Sequence, residues 1–511
     1  MKEPVKKFGA FQYIKNISSN LIVFVIHTII GFWYTPYLVH SLGNELFGLI
    51  PLATSVTNYF TVITTSVNRS TGRYLTIALE EEDTEKANQV FSTSFFVTLA
   101  LILAVIPFGI GIVIFAPDIF NVPLNGEKEV QYIFVFAIIA LMLSTLQGNF
   151  AVVSYSQNRF DLKNVIRLIS RVAQVSIVIV LFSLYTPNLL IAGLGVIAVP
   201  LVGISGEVIF WKKLLPNLKL KLESLKLALL KKMMGTSFWM LVITIGSLLI
   251  TSMELVVANK TLGLNVAGMY GALFTFPNNL RFLAGTVGGV WGPTILAKSS
   301  SPNKEEMDYF VKLALKFTGL AIALPVGYIV GFSRQLITIW LGPEFAIMDW
   351  ALIFMVVTLS TNLLHNPIYT ILVSQNKLKI PALITLLIGI GSVFLMFFGS
   401  KQFGAVGLAV AAAIMFSLKN SVLFPIYAAK ILGYPWWHYM TRLAQVTMIT
   451  LGISILSHLL GRIVEVNSYT MILATGIPVT ILYGVIVYFG ALNAKEKGYL
   501  TLIFKKNRKA S

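Results

Sequence analysis

Long apolar segments constrain the fold of this chain more than any other feature of its sequence. A helix of about 20 apolar residues spans the hydrocarbon core of a bilayer. Backbone in a bilayer must satisfy its own hydrogen bonds, and barrel strands are shorter and alternate in polarity, so each segment is predicted to be a transmembrane helix. The fourteen predicted helices, numbered in words in chain order, cover 17–38, 46–76, 91–116, 130–155, 164–186, 189–211, 236–259, 266–297, 309–333, 347–373, 380–400, 404–429, 441–461 and 469–492.

Composition excludes several classes of protein. Hydrophobic residues make up 56% of the 511 residues and charged residues only 12%, against roughly 25% charged in a soluble domain, which excludes a water-soluble enzyme. The absence of cysteine excludes disulfides, thiol nucleophiles and cysteine metal sites. The five histidines form no pair at metal-ligand spacing, so neither a metal nor a cofactor is predicted.

The net charge of +18 mostly reflects the membrane topology of the chain. With a cytoplasmic N-terminus, the predicted inner segments hold 31 of the 39 lysines and arginines and the outer segments hold five. This imbalance predicts that both termini lie in the cytoplasm. A nucleic-acid partner would require the cations to lie on one basic face. Because they are spread over the inner segments, no nucleic-acid partner is predicted. Arg69, Arg281 and Lys419 fall in neither set.

Two segments outside the apolar core also yield expectations. The basic N-terminus precedes an apolar stretch without a small-residue cleavage pattern, so helix one is predicted to be retained and not removed as a signal peptide. The segment 216–235 is basic and is predicted to form an interfacial helix. A calmodulin-like or lipid-specific site is the alternative there. Its apolar positions at helical spacing are Leu218, Leu222, Leu225, Leu229 and Met233.

An internal repeat is indicated by three motif pairs at nearly constant offset. The pairs are LGNELFG at 42–48 with LGLNVAG at 262–268, Pro107 and Gly109 with Pro325 and Gly327, and SQNR at 156–159 with SQNK at 374–377. Helices one to six therefore repeat as helices seven to twelve, and helices thirteen and fourteen are appended. Each copy has an even number of helices, so both share one orientation around a central cavity, as in transporters. The predicted parts are an N-lobe at 1–215, a cytoplasmic linker at 216–235, a C-lobe at 236–432, and helices thirteen and fourteen with a basic cytoplasmic tail at 433–511.

Cations inside the predicted helices are the candidate binding residues. A charge near mid-bilayer costs about 2.5 to 3.5 kcal/mol on insertion scales, so such residues usually face a cavity and act there. A cationic cavity selects an anionic substrate, and guanidinium groups suit phosphate. Arg73 could instead reach the inner surface with its side chain. His365 on helix ten and Lys419 on helix twelve could equally be structural. The candidates are Arg69, Arg73, Arg281, His365 and Lys419.

The acids inside the predicted helices are few. Glu207 and Glu254 are the two plausible ones. Glu254 could pair with Lys260, which is favoured, or bind a coupling ion or a proton. His27 on helix one is the other candidate for coupling, although a histidine there is more often a packing residue.

Several motifs together resemble one transporter family. They are the LGxxxxG opening of helix two, the SQN(R/K) ends of helices four and ten, and the GLGV and VGLA openings of helices six and twelve. With fourteen helices and a six-plus-six repeat, the chain resembles the polysaccharide transporter branch of the multidrug/oligosaccharidyl-lipid/polysaccharide (MOP) exporter superfamily. The resemblance implies an all-α integral membrane fold of two lobes with alternating access. It also implies flipping of undecaprenyl-pyrophosphate-linked oligosaccharides, as the O-antigen (Wzx-type) and teichuronic-acid-type members do.

Two related groups differ from this chain in their charged residues. Lipid II flippases carry cavity arginines on helices one, two and eight, whereas helix one here offers only His27, which argues against lipid II as cargo. Multidrug extruders generally have twelve helices and an acid on helix one or seven. Here only Glu254 on helix seven matches that pattern.

Three functions follow in order of expectation. The first is a flippase for lipid-linked oligosaccharides of O-antigen, capsule or teichuronic type, driven by membrane potential or by an H⁺ or Na⁺ gradient, with membrane lipids, a polysaccharide polymerase and glycosyltransferases as partners. The second is a cation-coupled exporter of organic cations. The third, a membrane polymerase or ligase, would need a larger outer loop with acid and base residues, so no enzyme activity is predicted.

Overall fold

The structure is a computed structural model that describes residues 10–123, 126–226, 228–229, 237–289, 291, 295, 304–493 and 496–497. Every regular element in these ranges is a helix, as the sequence predicts. The α-helices are α1 (Ala10–Thr57), α2 (Thr61–Glu80), α3 (Thr84–Ile119), α4 (Glu127–Ser156), α5 (Phe160–Leu184), α6 (Leu189–Leu214), α7 (Ser237–Thr251), α8 (Met253–Leu262), α9 (Leu264–Leu273), α10 (Thr275–Gly289), α11 (Lys304–Gly331), α12 (Ser333–Leu341), α13 (Asp349–Val357), α14 (Leu359–Asn362), α15 (His365–Ser374), α16 (Lys379–Ser417), α17 (Phe424–Leu432), α18 (Met440–Ile463) and α19 (Tyr469–Ile486).

The helices are long and apolar enough to span a bilayer. Within the described ranges, eleven helical segments meet that condition. Two of them run across two predicted helices: Lys379–Leu432 contains helices eleven and twelve, and Ser18–Phe60 contains helix one and the first part of helix two. These pairs are joined at Gly43 and Gly404, whose φ angles of 78° and 61° bend the helix without a steric penalty. The all-α membrane fold is therefore confirmed, while the count of fourteen stays a prediction.

Matching residues of the internal repeat adopt matching backbone conformations. Gly43 has φ 78° and ψ 163°, and Gly263 has φ 83° and ψ 169°. Asn158 and Asn376 in the two SQN motifs have φ 53° and 51°. Asparagine tolerates this left-handed region, which commonly follows the last residue of a helix. The motifs therefore encode the same helix breaks in both copies.

The described chain divides into two units, Met1–Phe282 with Gln375–Lys419 and Leu283–Ser374 with Asn420–Ser511. The predicted lobe boundaries at 1–215 and 236–432 stay a prediction. In the first unit, α4 and α5 pack on α6, α7 packs on α16, and α1 packs on α9. Part of its core is aromatic, and the rings of Phe91, Phe150 and Trp211 lie 5.2 to 6.3 Å apart.

The second unit contains the two helices that the sequence places after the repeat. α18 packs closely on α11, because three glycines of α11 leave no room for a Cβ atom. Small residues allow such close approach between membrane helices. A Cβ on Gly319 would lie 2.4 Å from Val446, and one on Gly331 would lie 2.3 Å from the Cβ of Ser457.

The linker after α6 differs from the interfacial helix that the sequence predicts. Described residues 216–226 form no α-helix, and their one helical turn is the 3-10 turn Leu222–Ser224. Side chains of α3 accept hydrogen bonds from the linker backbone, so these N–H groups need no helical partner. The predicted helix is therefore wrong for residues 216–226, whereas the described residues 228–229 are helical and Met233 lies outside the described residues. The donor–acceptor pairs are Lys219 with Asn88 at 2.7 Å, Lys221 with Ser92 at 3.1 Å, and Lys226 with Thr93 at 3.0 Å.

Candidate functional site

A cavity of about 720 Å³ lies in the first unit. Its lining comes from α1, α2, α4 to α10 and the turn between α1 and α2, and it combines apolar side chains with hydroxyl and amide groups such as those of Asn58 and Ser144. Among the described lining residues only Arg171 and Arg281 carry a charge. Two guanidinium groups without a carboxylate in the lining make the cavity attractive to anions.

Arg281 on α10 is the predicted binding residue that the structure places in this cavity. Its Nη1 donates a hydrogen bond to Oδ1 of Asn278 at 3.0 Å, one helical turn earlier. Its Nε is buried and has no hydrogen-bond partner. A guanidinium carries five N–H donors, so Arg281 retains donors for a ligand.

Arg171 on α5 is the second cavity cation, and sequence reasoning missed it. The charge imbalance places Arg171 among the 31 predicted inner cations, whereas its side chain lines the cavity. Its Nη1 donates to Gln174, its Cζ lies 5.4 Å from the centroid of the Tyr34 ring, and its Nε is buried without a partner. The available signal was its position two turns inside predicted helix five.

A buried acid lies next to the cavity. The Tyr270 hydroxyl donates to Oε2 of Glu254 at 3.0 Å, and both side chains are buried. Glu254 also interacts electrostatically with Arg281. The favoured pairing of Glu254 with Lys260 is therefore not its contact here, since no ion pair joins these two described residues. Glu254 keeps its predicted role as a coupling candidate.

His27 is close to the cavity but outside its lining. Its ring stacks on Phe282 with centroids 5.5 Å apart, and its buried Nδ1 has no hydrogen-bond partner. Phe282 follows Arg281 in the chain. His27 therefore packs on α10, which is the structural role, while its predicted role in coupling stays a prediction.

The remaining predicted binding residues do not line this cavity in the described part of the chain. Lys419 lies in the π-helical turn Leu418–Leu423 and is 4% exposed. Its Nζ donates a hydrogen bond to Oγ of Ser247 on α7 at 3.0 Å. His365 belongs to the second unit, where its Nδ1 contacts the carbonyl oxygen of Asn362 at 3.0 Å. Arg73 is exposed on α2. The side chain of Arg69 lies outside the described residues.

The described residues contain no group of three histidine or acidic side chains that could hold a metal ion. The second buried acid, Glu207, accepts a hydrogen bond from Ser154 at 2.9 Å, and its Oε1 has no partner. Neither Glu207 nor Glu254 is among the lining residues. The chemistry that the cavity supports is therefore binding of an anion.

Comparison with known proteins gives three kinds of similarity. A family described as polysaccharide biosynthesis protein matches residues 13–299, more than half of the chain. The chain is 28% identical over 502 residues to the "Uncharacterized membrane protein EpsK" of Bacillus subtilis (strain 168), covering 98% of this chain and 99% of that protein. It is 23% identical over 420 residues to a "Putative O-antigen transporter" of Shigella flexneri, covering 81% and 97%.

Among solved structures, the fold is similar to the lipid II flippase MurJ in an inward closed conformation. The TM-score is 0.64 at 13% identity, with 92% of this chain and 98% of that chain covered. The sequence identity is too low to compare sites, so this similarity concerns the fold alone.

Proposed function

The chain belongs to the polysaccharide biosynthesis protein family, and from that premise we propose that it is a flippase for lipid-linked oligosaccharides. The same matches confirm the resemblance to the polysaccharide transporter branch. The family and its fold neighbours are membrane transporters, so the prediction that the chain is not an enzyme is confirmed.

One observation carries the proposal. Arg171 and Arg281 line a single cavity, and neither forms an ion pair with a carboxylate of the described residues. Arginine recognises phosphate with two parallel hydrogen bonds, and charged side chains inside a membrane that face a cavity mark substrate pathways. A phosphate or pyrophosphate between lipid and sugar is the anion that such a substrate provides.

The proposed substrate is an undecaprenyl-(pyro)phosphate-linked oligosaccharide of O-antigen, capsule or teichuronic type. Its phosphates bind the two arginines, and the hydroxyl and amide groups of the lining bind sugar hydroxyls. The prenyl chain stays in the surrounding lipid, because apolar chains gain nothing from a polar cavity. Alternating access then moves the headgroup across the membrane.

The cellular setting is part of the proposal. The chain lies in the cytoplasmic membrane with both termini inside, and it works with glycosyltransferases and a polymerase of the same pathway. Membrane potential or an H⁺ or Na⁺ gradient supplies the driving force, with Glu254 beside Arg281 as the site where a proton would influence anion binding.

A cation-coupled exporter of organic cations is the alternative. The buried Glu254 favours it, since an acid on helix seven is its expected coupling residue. The cavity lining opposes it, because two arginines repel a cationic substrate.

Complementation of a strain that lacks its own oligosaccharide flippase tests the proposal. Arg171→Gln and Arg281→Gln are expected to abolish surface polysaccharide at normal expression, since each removes a guanidinium from the cavity. Lys212→Gln, an exposed cation at the end of α6, is the matched control and keeps wild-type activity. Full complementation by both cavity variants, or resistance to organic cations that depends on Glu254, would contradict the flippase assignment.

A further inference from the structure

Cations occur at every fourth position at the start of α5. They are Arg159 just before the helix, then Lys163, Arg167 and Arg171. Four residues advance about 6 Å along an α-helix and turn it by little more than one full rotation. The cations therefore follow one side of the helix, like residues of any i, i+4 pair, and the series ends in the cavity at Arg171.

Charge pairing decreases along this series. Arg159 is neutralised by Asp161, whose Oδ1 and Oδ2 accept from Nε and Nη2 at 3.0 and 3.1 Å. Lys163 interacts electrostatically with Glu207 but forms no ion pair within 4 Å among the described residues. Arg167 and Arg171 have no carboxylate partner in the described part of the chain.

Arg167 packs on an aromatic ring and forms no ion pair with an acid of the described residues. Its Cζ is 5.8 Å from the centroid of the Phe282 ring, and the same ring stacks on His27. Nδ1 of His27 is buried without a hydrogen-bond partner. An arginine, an unpartnered histidine nitrogen and an aromatic ring therefore meet one turn before the cavity cation Arg171.

We propose that Lys163, Arg167 and Arg171 form a phosphate track, along which the anionic headgroup of the substrate moves in one-turn steps towards Arg281. This inference rests on the proposed flippase function. It adds Lys163 and Arg167 as binding residues outside the cavity lining, and it adds a preference for one kind of headgroup. A diphosphate has oxygens on two phosphorus atoms, so it can contact the next cation before it leaves the previous one. A monophosphate has to release one cation first, so the track favours diphosphates.

Association kinetics of a short lipid diphosphate test the track. Farnesyl diphosphate is added to the purified full-length protein in detergent, and tryptophan fluorescence reports binding. Arg167→Gln is expected to slow association about tenfold or more, as expected when a steering charge is lost, while the final affinity changes little. Arg171→Gln is expected to weaken the affinity itself. Lys212→Gln is the control, and it keeps both the rate and the affinity.

Two further arms separate the track from a structural role. Arg167→Lys is expected to restore fast association, and Arg167→Gln is expected to reduce the dependence of the rate on salt concentration. Farnesyl monophosphate is expected to associate more slowly with the wild type than farnesyl diphosphate does. Inorganic pyrophosphate is expected to compete with farnesyl diphosphate, which shows that the headgroup and not the lipid chain is recognised.

The failures are distinguishable. A wild type that binds neither lipid phosphate contradicts the proposed function and the track with it. A wild type that binds farnesyl diphosphate while Arg167→Gln associates at the same rate contradicts the track alone. Loss of thermal stability in Arg167→Gln without rescue by Arg167→Lys also overturns the track. Equal association rates for farnesyl monophosphate and farnesyl diphosphate overturn the preference for diphosphates.

Discussion

Gly48 and Gly268, which occupy the same position in the two copies of the LGxxxxG motif, lie backbone to backbone where α1 packs on α9. A Cβ atom on Gly48 would come within 2.6 Å of the Cα of Gly268. One on Gly268 would come within 1.8 Å of the carbonyl oxygen of Asn44. The repeat therefore supplies both surfaces of one contact, and only glycine fits there.

Gly268→Ala is expected to push α1 away from α9. Overpacking of a close contact typically costs about 1 to 3 kcal/mol, so the variant should unfold at a lower temperature in detergent. Gly111→Ala on α3 is the control, because nothing lies within 4 Å of its Cβ position. It should be neutral or more stable by up to about 1 kcal/mol. Equal unfolding temperatures for the two variants would show that the contact is not close.

Asn44 and Asn265 provide a test of movement at the same contact. Nδ2 of Asn44 donates to Oδ1 of Asn265 at 3.1 Å, and the natural chain contains no cysteine. The double variant Asn44→Cys with Asn265→Cys is expected to form a disulfide under oxidation and to stop transport until a reductant is added, because the proposed alternating access requires such contacts to separate. Each single variant should transport under both conditions. Undiminished transport by the cross-linked protein would mean that α1 and α9 stay together throughout the cycle.

The sequence predicts the helical fold and one cavity cation, because both depend on local patterns. Twenty-residue apolar segments specify helices in a bilayer without any tertiary information, and Arg281 lies at the middle of predicted helix eight, where a charge is costly unless it faces a cavity. The sequence places Arg171 in an inner segment, because a count of cations per segment ignores how far each lies along its helix. Its contacts with Tyr34 and Gln174 show that it belongs to the cavity.

Long-range partners explain the failure at the linker. Residues 216–226 have the spacing of an amphipathic helix, but hydrogen-bond acceptors on α3, about 130 residues earlier, bind their backbone instead. Leu218 is buried there against a core that includes Phe91 and Phe150. Tertiary contacts of this kind override local periodicity, and no pattern within the linker reports them.

Tyr270→Phe tests the hydrogen bond to Glu254. The variant removes the donor and leaves a buried carboxyl group without it, which costs about 1 to 3 kcal/mol. Tyr132→Phe is the control, since Tyr132 is 43% exposed and has no side-chain hydrogen bond among the described residues. A double variant with Glu254→Gln shows whether the two effects are coupled. If they simply add, the two side chains do not stabilise each other.

Lys316 on α11 and Glu496, after α19, form a buried ion pair in the second unit, with side chains 9% and 5% exposed. Oε2 of Glu496 also accepts from the backbone N–H of Asn493 at 2.8 Å, so one carboxylate fixes the chain that follows α19 to α11. Removing one partner of a buried pair leaves an uncompensated charge and costs about 3 to 5 kcal/mol. Glu496→Gln should therefore lower the unfolding temperature clearly, whereas Glu496→Gln with Lys316→Met, which removes both charges, should recover most of the loss. Glu81→Gln is the matched control, because Lys86 and Glu81 form an exposed pair that solvent screens. An equal loss in Glu496→Gln and Glu81→Gln would mean that burial of the pair contributes nothing to the stability of the second unit.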